Sequence, residues 1–355
     1  MITKILGIIG SACFAACGVP AALATYKAKK SIGTPISVAL LIFFGSLAMY
    51  GYLLGTYGFD LLLTINYIVE ALSWGLISYY HYFPVAAPVQ ITSKLGKIYN
   101  RKPDSIDLRD EFYQAQPPAV LDALPAMVDL RPLCSPVFDQ GQVGSCTGNA
   151  AAGAFEFLQL KELREKNPGI EEFDPSTYEA ASRLFIYYNE RRLDHDTGED
   201  AGATLRDAVK SLLYYGACKE STWPYIESQA FTQPSPEAYE EAFKHRISKY
   251  YRFADLEHIK HSLAAGYPVI FGITLFESFE SDRVAQNGLV PMPQYGRENI
   301  LGGHAVMIVG YDDITQHVIV RNSWGTGWGD KGYFYLPYDY VTNPDFASDF
   351  WTIRK

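Results

Sequence analysis

Long apolar stretches dominate the start of the chain. Residues 5–26 and 31–59 contain no Asp, Glu, Lys or Arg, and a third stretch, from Leu61 to about Phe83, contains a single acid, Glu70. Each is long enough to cross a hydrocarbon core of ~30 Å as a helix of about 20 residues. The loops between them, "KAKKSIGTP" and "GTYGFD", are short, so residues 1–87 read as a module of three transmembrane helices. A cleaved signal sequence is the competing reading of the first stretch, but it leaves the two that follow unexplained. Asn66 and Glu70 in the third stretch are costly in lipid and are expected to face a protein interior.

The pattern then changes. Residues 88–123 form a Pro-containing, mixed-charge linker, and residues 124–355 read as an α+β domain. After Cys146, Ala150, Ala151, Ala154, Phe155 and Leu158 mark the apolar face of a helix, which Asn167-Pro168-Gly169 ends. A second helix is predicted from Thr204 to Tyr215. "HAVMIVGYDD" and "HVIVRNSWG" are β-rich, and a turn between them, placed over Gly310–Thr315, predicts a hairpin.

Charge separates the two parts. Residues 1–87 hold four lysines against two acids, a net of +2, while the remainder holds 26 basic and 37 acidic residues, a net of −11. An acidic domain without a basic patch argues against nucleic acid as a partner. Lys27, Lys29 and Lys30 follow the first span; Lys94, Lys97, Arg101 and Lys102 follow the third. With three spans both clusters fall on one side, which the positive-inside rule makes cytoplasmic, and the large domain lies there too. Five cysteines, two of them in the first apolar stretch, suit a reducing compartment.

The chemistry is carried by "DQGQVGSC", ending at Cys146, "GGHAVMIVGYDD", carrying His304, and "VIVRNSWGTGWGDKGYF", carrying Asn322. A thiol, an imidazole that can deprotonate it and an amide that can orient the imidazole make an activated nucleophile for acyl carbons. At the first turn of its helix, Cys146 is expected to have a lowered pKa, helped by the helix dipole and a protonated His304. Gly141 and Gly144 permit the tight approach to that helix, and Gly302-Gly303 set His304 apart from the other histidines.

The segment "LPAMVDLRPLCSPVFDQGQVGSCTGNAA" resembles the mature N-terminus of papain-like cysteine proteases, and the two later segments resemble the His and Asn motifs of the same family, in the family order. The resemblance covers roughly residues 124–355 and implies a two-lobed fold, a helical lobe and a β-rich lobe with the cleft between them. It implies Cys146 as nucleophile, His304 as base and later general acid, Asn322 as the group orienting the imidazole, and Gln140 as side-chain donor to the oxyanion. Trp324 matches the indole that covers the Asn–His hydrogen bond, and Gly144 and Gly303 flank the site. Val143 stands where the family usually has a disulfide cysteine, and Thr147 where it usually has an aromatic residue. Residues 88–123 are too short for the family's helical prodomain; the linker either crosses the cleft or spans from membrane to enzyme.

The first 87 residues are similar to the three-helix sugar-transporter units called SemiSWEETs, on "GVPAALATYKAKKSIGTPISVALLIF", "MYGYLLG" and "INYIVEAL". That resemblance implies a homodimer with a solute site between protomers, lined by Pro20 and Asn66. The bland alternative is that Asn66 and Glu70 hold helices or protomers together.

The reading is a membrane-anchored cysteine endopeptidase acting on protein or peptide substrates through a thioester, with no metal or organic cofactor. Its partners are the lipid bilayer and, through the membrane module, a second copy of the chain. The alternatives are a small-solute transporter or sensor with a regulatory papain-like domain, and acyl transfer to an amine in place of water.

Overall fold

The computed structural model describes residue 22 and residues 36–57, 61–82, 93–114, 124–167, 178–294 and 296–355. The chain forms two compact units, Met1–Val89 and Gln90–Lys355.

In the first unit, α1 (Ile36–Tyr57) and α2 (Leu61–Tyr82) pack together. Gly75 admits the Phe43 ring, Tyr50 hydrogen-bonds Thr64 at 3.1 Å, and Trp74 and Ile77 are buried with Ala39. Glu70 is fully buried. Leu41, Phe44 and Tyr52 on α1 and Ile68 and Leu72 on α2 are exposed. Among the described residues one helix, over Ala39–Thr56, is long and apolar enough to cross a membrane. Of the three expected spans, this is the one shown. All of the first predicted span but Ala22 lies outside the described residues, and α2, over the third, is a 22-residue helix carrying one acid, Glu70. Pro20 also lies outside the described residues, and Asn66 is placed only as a position on α2.

The second unit is an α+β fold. Among the described residues its sheet has seven strands in the order β2-β7-β3-β4-β5-β6, with β1 added on β4, and the pairings between these strands are antiparallel. The strands are β1 (Met127–Asp129), β2 (Lys249–Arg252), β3 (Val269–Phe276), β4 (Ile300–Asp312), β5 (His317–Arg321), β6 (Tyr333–Pro337) and β7 (Ala347–Arg354). β4 is the centre: eight consecutive residues, His304–Tyr311, are buried, so both faces are covered. This is why its sequence alternates poorly.

Helix α3 (Cys146–Lys166) packs against α4 (Arg183–Leu193), α5 (Leu205–Tyr214) and β4. Its small residues allow that: a Cβ on Gly148 would lie 2.8 Å from the Arg183 carbonyl, so α3 and α4 meet backbone to backbone. Asn167 caps the end of α3, and Thr204 caps the start of α5 by accepting from Asp207 N–H. The predicted β4–β5 hairpin forms, but its turn is Asp313–Gln316 and not Gly310–Thr315. Gly310 stays in the strand because β1 approaches it closely: a Cβ there would sit 2.2 Å from the Val128 carbonyl.

Candidate active site

Cys146 opens α3 and is fully buried. Helix α3 packs on β4, the strand that carries His304, so the thiol and the imidazole are brought to the junction of helix and sheet. His304 is also fully buried, on β4. Its Nε2 lies 2.8 Å from the Asn322 side-chain oxygen just past β5, and Nδ1 has no hydrogen-bond partner among the described residues. An Nε2–H donated to Asn322 leaves Nδ1 as the basic nitrogen. The Trp324 indole stacks on the imidazole at 5.1 Å between centroids, shielding the His–Asn bond from water.

Gln140 is joined to the same region. Its backbone N–H donates to the Ser323 carbonyl at 2.9 Å, Ser323 Oγ donates to its side-chain oxygen at 2.6 Å, and its Nε2 donates to the Val143 carbonyl at 3.0 Å. That leaves a second Nε2–H free. Asp139 and Trp324 form a β-bridge beside it. The loop that brings Gln140 to the site is therefore fixed by residues immediately after Asn322.

The nucleophile loop is held from below. Gly144 N–H donates to Asp200 at 2.8 Å, Ser145 bonds the Tyr225 hydroxyl at 2.6 Å, and that hydroxyl donates to the Gln140 carbonyl at 2.7 Å. The Arg183 guanidinium lies 3.9 Å from the Tyr225 ring centroid. Thr147 donates to fully buried Glu190 at 2.5 Å. Val143 is packed with Leu184, Tyr187, Ala203 and Ala230, so an apolar cluster occupies the place of a disulfide, and Cys134, Cys146 and Cys218 are all free.

A strap covers the site. In the described part of the predicted linker, residues 93–114, Tyr99–Lys102 run past Cys146 and His304 without helix or turn, between turns at Lys94–Leu95 and Leu108–Arg109. Arg101 N–H donates to the Gly303 carbonyl at 3.1 Å on one wall, and Lys102 N–H to the Ala203 carbonyl at 2.9 Å on the other. Asn100 lies over the nucleophile loop: a Cβ on Gly144 would fall 2.3 Å from its side-chain nitrogen, and one on Gly202 would fall 1.9 Å from its carbonyl oxygen. Tyr99 closes the aromatic box, 6.0 Å from the His304 ring and 5.8 Å from the Trp324 ring. At its near end Glu280 clasps the strap, accepting from Tyr99 at 2.5 Å, from Lys94 N–H at 2.9 Å and from Ser93 Oγ. Of the two roles open to the linker, the described part crosses the cleft. It needs no prodomain for that, since an extended chain gains ~3.3 Å per residue.

Covered in this way, both groups are biased toward their neutral forms. Burial pushes the Cys146 thiol up to about 12, against the opposing N–H bond from Ala305, and pushes His304 down to about 4, against its bond to Asn322. This corrects the expected lowering of the Cys146 pKa. In the strapped form, desolvation outweighs the helix N-terminus, and proton transfer from thiol to imidazole becomes favourable only when solvent or substrate dipoles reach the site.

The structure thus brings Cys146, His304, Asn322, Gln140, Trp324, Gly144 and Gly303 into one place. Sequence reasoning missed Ser323, Asp200, Tyr225 and Glu190, whose contacts with the site cross long sequence separations. Ser323 had a signal, its place between Asn322 and Trp324; the others had none.

Comparison with known proteins is consistent with this geometry. The profile for papain family cysteine proteases matches residues 190–349. The chain is 42% identical over 226 residues to an uncharacterized peptidase C1-like protein of Acanthamoeba polyphaga mimivirus, covering 61% of this chain and 69% of the relative. It is 30% identical over 216 residues to cathepsin K of Gallus gallus, spanning 58% of that protein and 60% of this one. Among solved structures, xylellain, a cysteine protease from Xylella fastidiosa, superposes with a TM-score of 0.65 at 37% identity, covering 76% of this chain and 99% of xylellain.

Proposed function

The chain belongs to the papain family of cysteine proteases and is a cysteine peptidase, and we propose that Cys146, His304, Asn322 and Gln140 carry its chemistry. The observation that carries this reading is the 2.8 Å bond from His304 Nε2 to Asn322, which leaves Nδ1 as the base beside the thiol. With substrate in place of the strap, Nδ1 takes the Cys146 proton and the sulfur attacks the peptide carbonyl. The oxyanion is met by the Cys146 N–H and the free Nε2–H of Gln140. The C–N bond breaks as Nδ1–H protonates the leaving amine. Water, deprotonated by the same Nδ1, then cleaves the thioester, returning the thiol and releasing an acid.

The N-terminal unit holds this endopeptidase at a bilayer, with the catalytic unit on the cytoplasmic side. The apolar length of α1 and its exposed Leu41, Phe44 and Tyr52 support the anchor. The free Cys134, Cys146 and Cys218 and the lysine clusters support the side. Substrates are proteins or peptides.

The test of the chemistry is labelling of the full chain in detergent by an epoxide inhibitor of papain-like enzymes, with Cys146→Ala as control. Labelling lost in the variant supports the assignment, and labelling that persists elsewhere overturns it. For the topology, a reporter fused after Lys355 is expected to be inaccessible from outside the cell. Accessibility there overturns the cytoplasmic placement.

A further inference from the structure

The far end of the strap walls a second cavity, which shares no lining residue with the catalytic site. Its open volume is about 540 Å³, bounded by Phe112 and Tyr113 of the strap, Tyr251 on β2, Ala265 and Tyr267 before β3, and Arg354 on β7. The cavity forms where the strap joins the edge of the sheet. Tyr113 N–H donates to the Arg252 carbonyl, and Arg252 N–H donates to the Glu111 carbonyl, both at 2.8 Å. Tyr113 meets the Tyr251 ring edge-on, with 6.3 Å between centroids. A concave, aromatic-lined space of this size, with few polar groups, has the build of a small-molecule site.

Arg354 supplies the charge. Its Nη1 donates to Thr352 Oγ1 and to the Ile353 carbonyl, both at 2.8 Å. The Tyr267 ring covers the guanidinium, its centroid 3.7 Å from Cζ, and the Tyr113 and Tyr251 centroids lie at 5.7 and 5.9 Å. These contacts fix the fork without neutralising it. Among the described residues Arg354 pairs with no carboxylate, and its Nε and Nη2 make no hydrogen bond, so one edge of the fork stays open. No Asp or Glu is among the described residues that line the cavity, in a chain of net charge −9. Two more basic groups stand beside it. His261 is part of the lining, and Lys161 Nζ lies 4.5 Å from the Tyr267 centroid and donates to the Ala265 carbonyl at 3.4 Å. Their acids, Glu257 at 3.6 Å and Glu165 at 3.9 Å, lie one turn along the same helices and outside the lining.

An unpaired guanidinium partly withdrawn from water attracts an anion more strongly than one in bulk solvent. The open Nε–Nη2 edge matches the two oxygens of a carboxylate, and the tyrosines with Phe112 offer flat surfaces to whatever carries it. A bare phosphate satisfies the fork and leaves the rings uncovered. We propose that this cavity binds a carboxylate carried on a flat apolar group, supplied by a free aromatic acid or by the C-terminus of a peptide that ends in an aromatic residue. The site is separate from the peptidase chemistry and does not depend on the role of Cys146. Tyr113 belongs to the strap and Arg354 to the sheet, so the bound acid touches both.

The test titrates the full chain in detergent with phenylpropionate, its primary amide, N-acetylphenylalanine and inorganic phosphate, read by saturation-transfer NMR. Phenylpropionate is expected to bind at least about tenfold tighter than the amide, and Arg354→Gln to abolish that difference. Ala265→Phe fills the cavity and leaves the guanidinium in place, so it is expected to weaken the acid by at least about tenfold as well. This second variant keeps the proposal open to refutation if Arg354→Gln does not fold. Equal affinity for acid and amide overturns the proposal, as does acid binding unchanged by Ala265→Phe, or no binding of any probe. Phosphate that displaces phenylpropionate at equal concentration overturns the need for a flat group. N-acetylphenylalanine binding tighter than phenylpropionate identifies a peptide C-terminus as the source, and the reverse order a free acid; each supports the site.

Discussion

The N–H of Arg101 donates to the carbonyl of Gly303 at 3.1 Å, and Gly303 immediately precedes His304. The strap is therefore bonded to the strand that carries the imidazole, and a substrate must displace that bond to reach Cys146. Lys102 makes the matching bond to Ala203 on the opposite wall.

Loosening the clasp should open the site. Glu280 is 5% exposed and accepts from Ser93, Tyr99 and Lys94 at the near end of the strap. Hydrogen bonds to a charged group are worth about 1.5–3 kcal/mol each, so Glu280→Ala is expected to raise the rate of Cys146 alkylation by iodoacetamide about 10- to 100-fold. Intact-mass analysis over time measures it. An unchanged rate would mean that the strap is not what limits access.

Gly202→Ala separates access from turnover. With φ at +69°, and with the strap carbonyl where its Cβ would be, the substitution pushes Asn100 away. Alkylation of Cys146 is expected to accelerate, while peptide hydrolysis does not rise in step, because the same methyl narrows the wall a substrate must pass. Parallel increases in both rates would mean that a methyl at position 202 does not narrow the path of a substrate.

His304 and Asn322 should differ in degree. Loss of the proton carrier in His304→Ala is expected to lower kcat by at least ~10²-fold, the lower end of general acid–base contributions. Asn322→Ala keeps the base but frees the ring, so a smaller loss is expected, again in kcat more than in KM. Steady-state kinetics on an Arg101→Ala background gives both values. A larger loss for Asn322→Ala would reassign their roles.

Glu190 predicts a pH dependence of stability. Burial pushes its carboxyl up to about 8, against the bond from Thr147, whereas an unfolded glutamate titrates near ~4.3. Between those values the folded chain holds a proton that the unfolded chain releases, so folding loses stability as pH rises from about 4 to about 8. Glu190→Gln keeps an acceptor for Thr147 and removes the titration. It is expected to be more stable than the parent above pH 8, by an amount on the order of 5 kcal/mol, and to match it near pH 4. Urea unfolding of the full chain, followed by tryptophan fluorescence at several pH values, tests this. A difference independent of pH would refute it.

The sequence carried the site better than its surroundings. Cys146, His304 and Asn322 were legible because a nucleophile, a base and an orienting amide need particular residue types, and glycines and a tryptophan mark their places. The α3 and α5 boundaries were legible from Asn167 and Thr204, since helix ends are chosen by local chemistry. The course of residues 93–114 was not. An extended segment has no period to read, and what fixes it are contacts with Gly303, Ala203 and Asp349, far along the chain. Asp349 was invisible for the same reason: its partner Arg101 lies 248 residues away. The direction of the Cys146 shift was misjudged because the helix N-terminus can be read from sequence, whereas burial under the strap cannot.

The strap and the site it covers belong to one polypeptide, so the strap never competes by its bulk concentration. A tethered segment acts at an effective concentration on the order of millimolar, and a peptide arriving from solution must overcome that figure however dilute the enzyme is. A single break in the chain between the strap and Cys146 would cancel this advantage without altering one contact in the cleft. The freed segment would then be lost by dilution alone, and the same protein would pass from self-occupied to vacant.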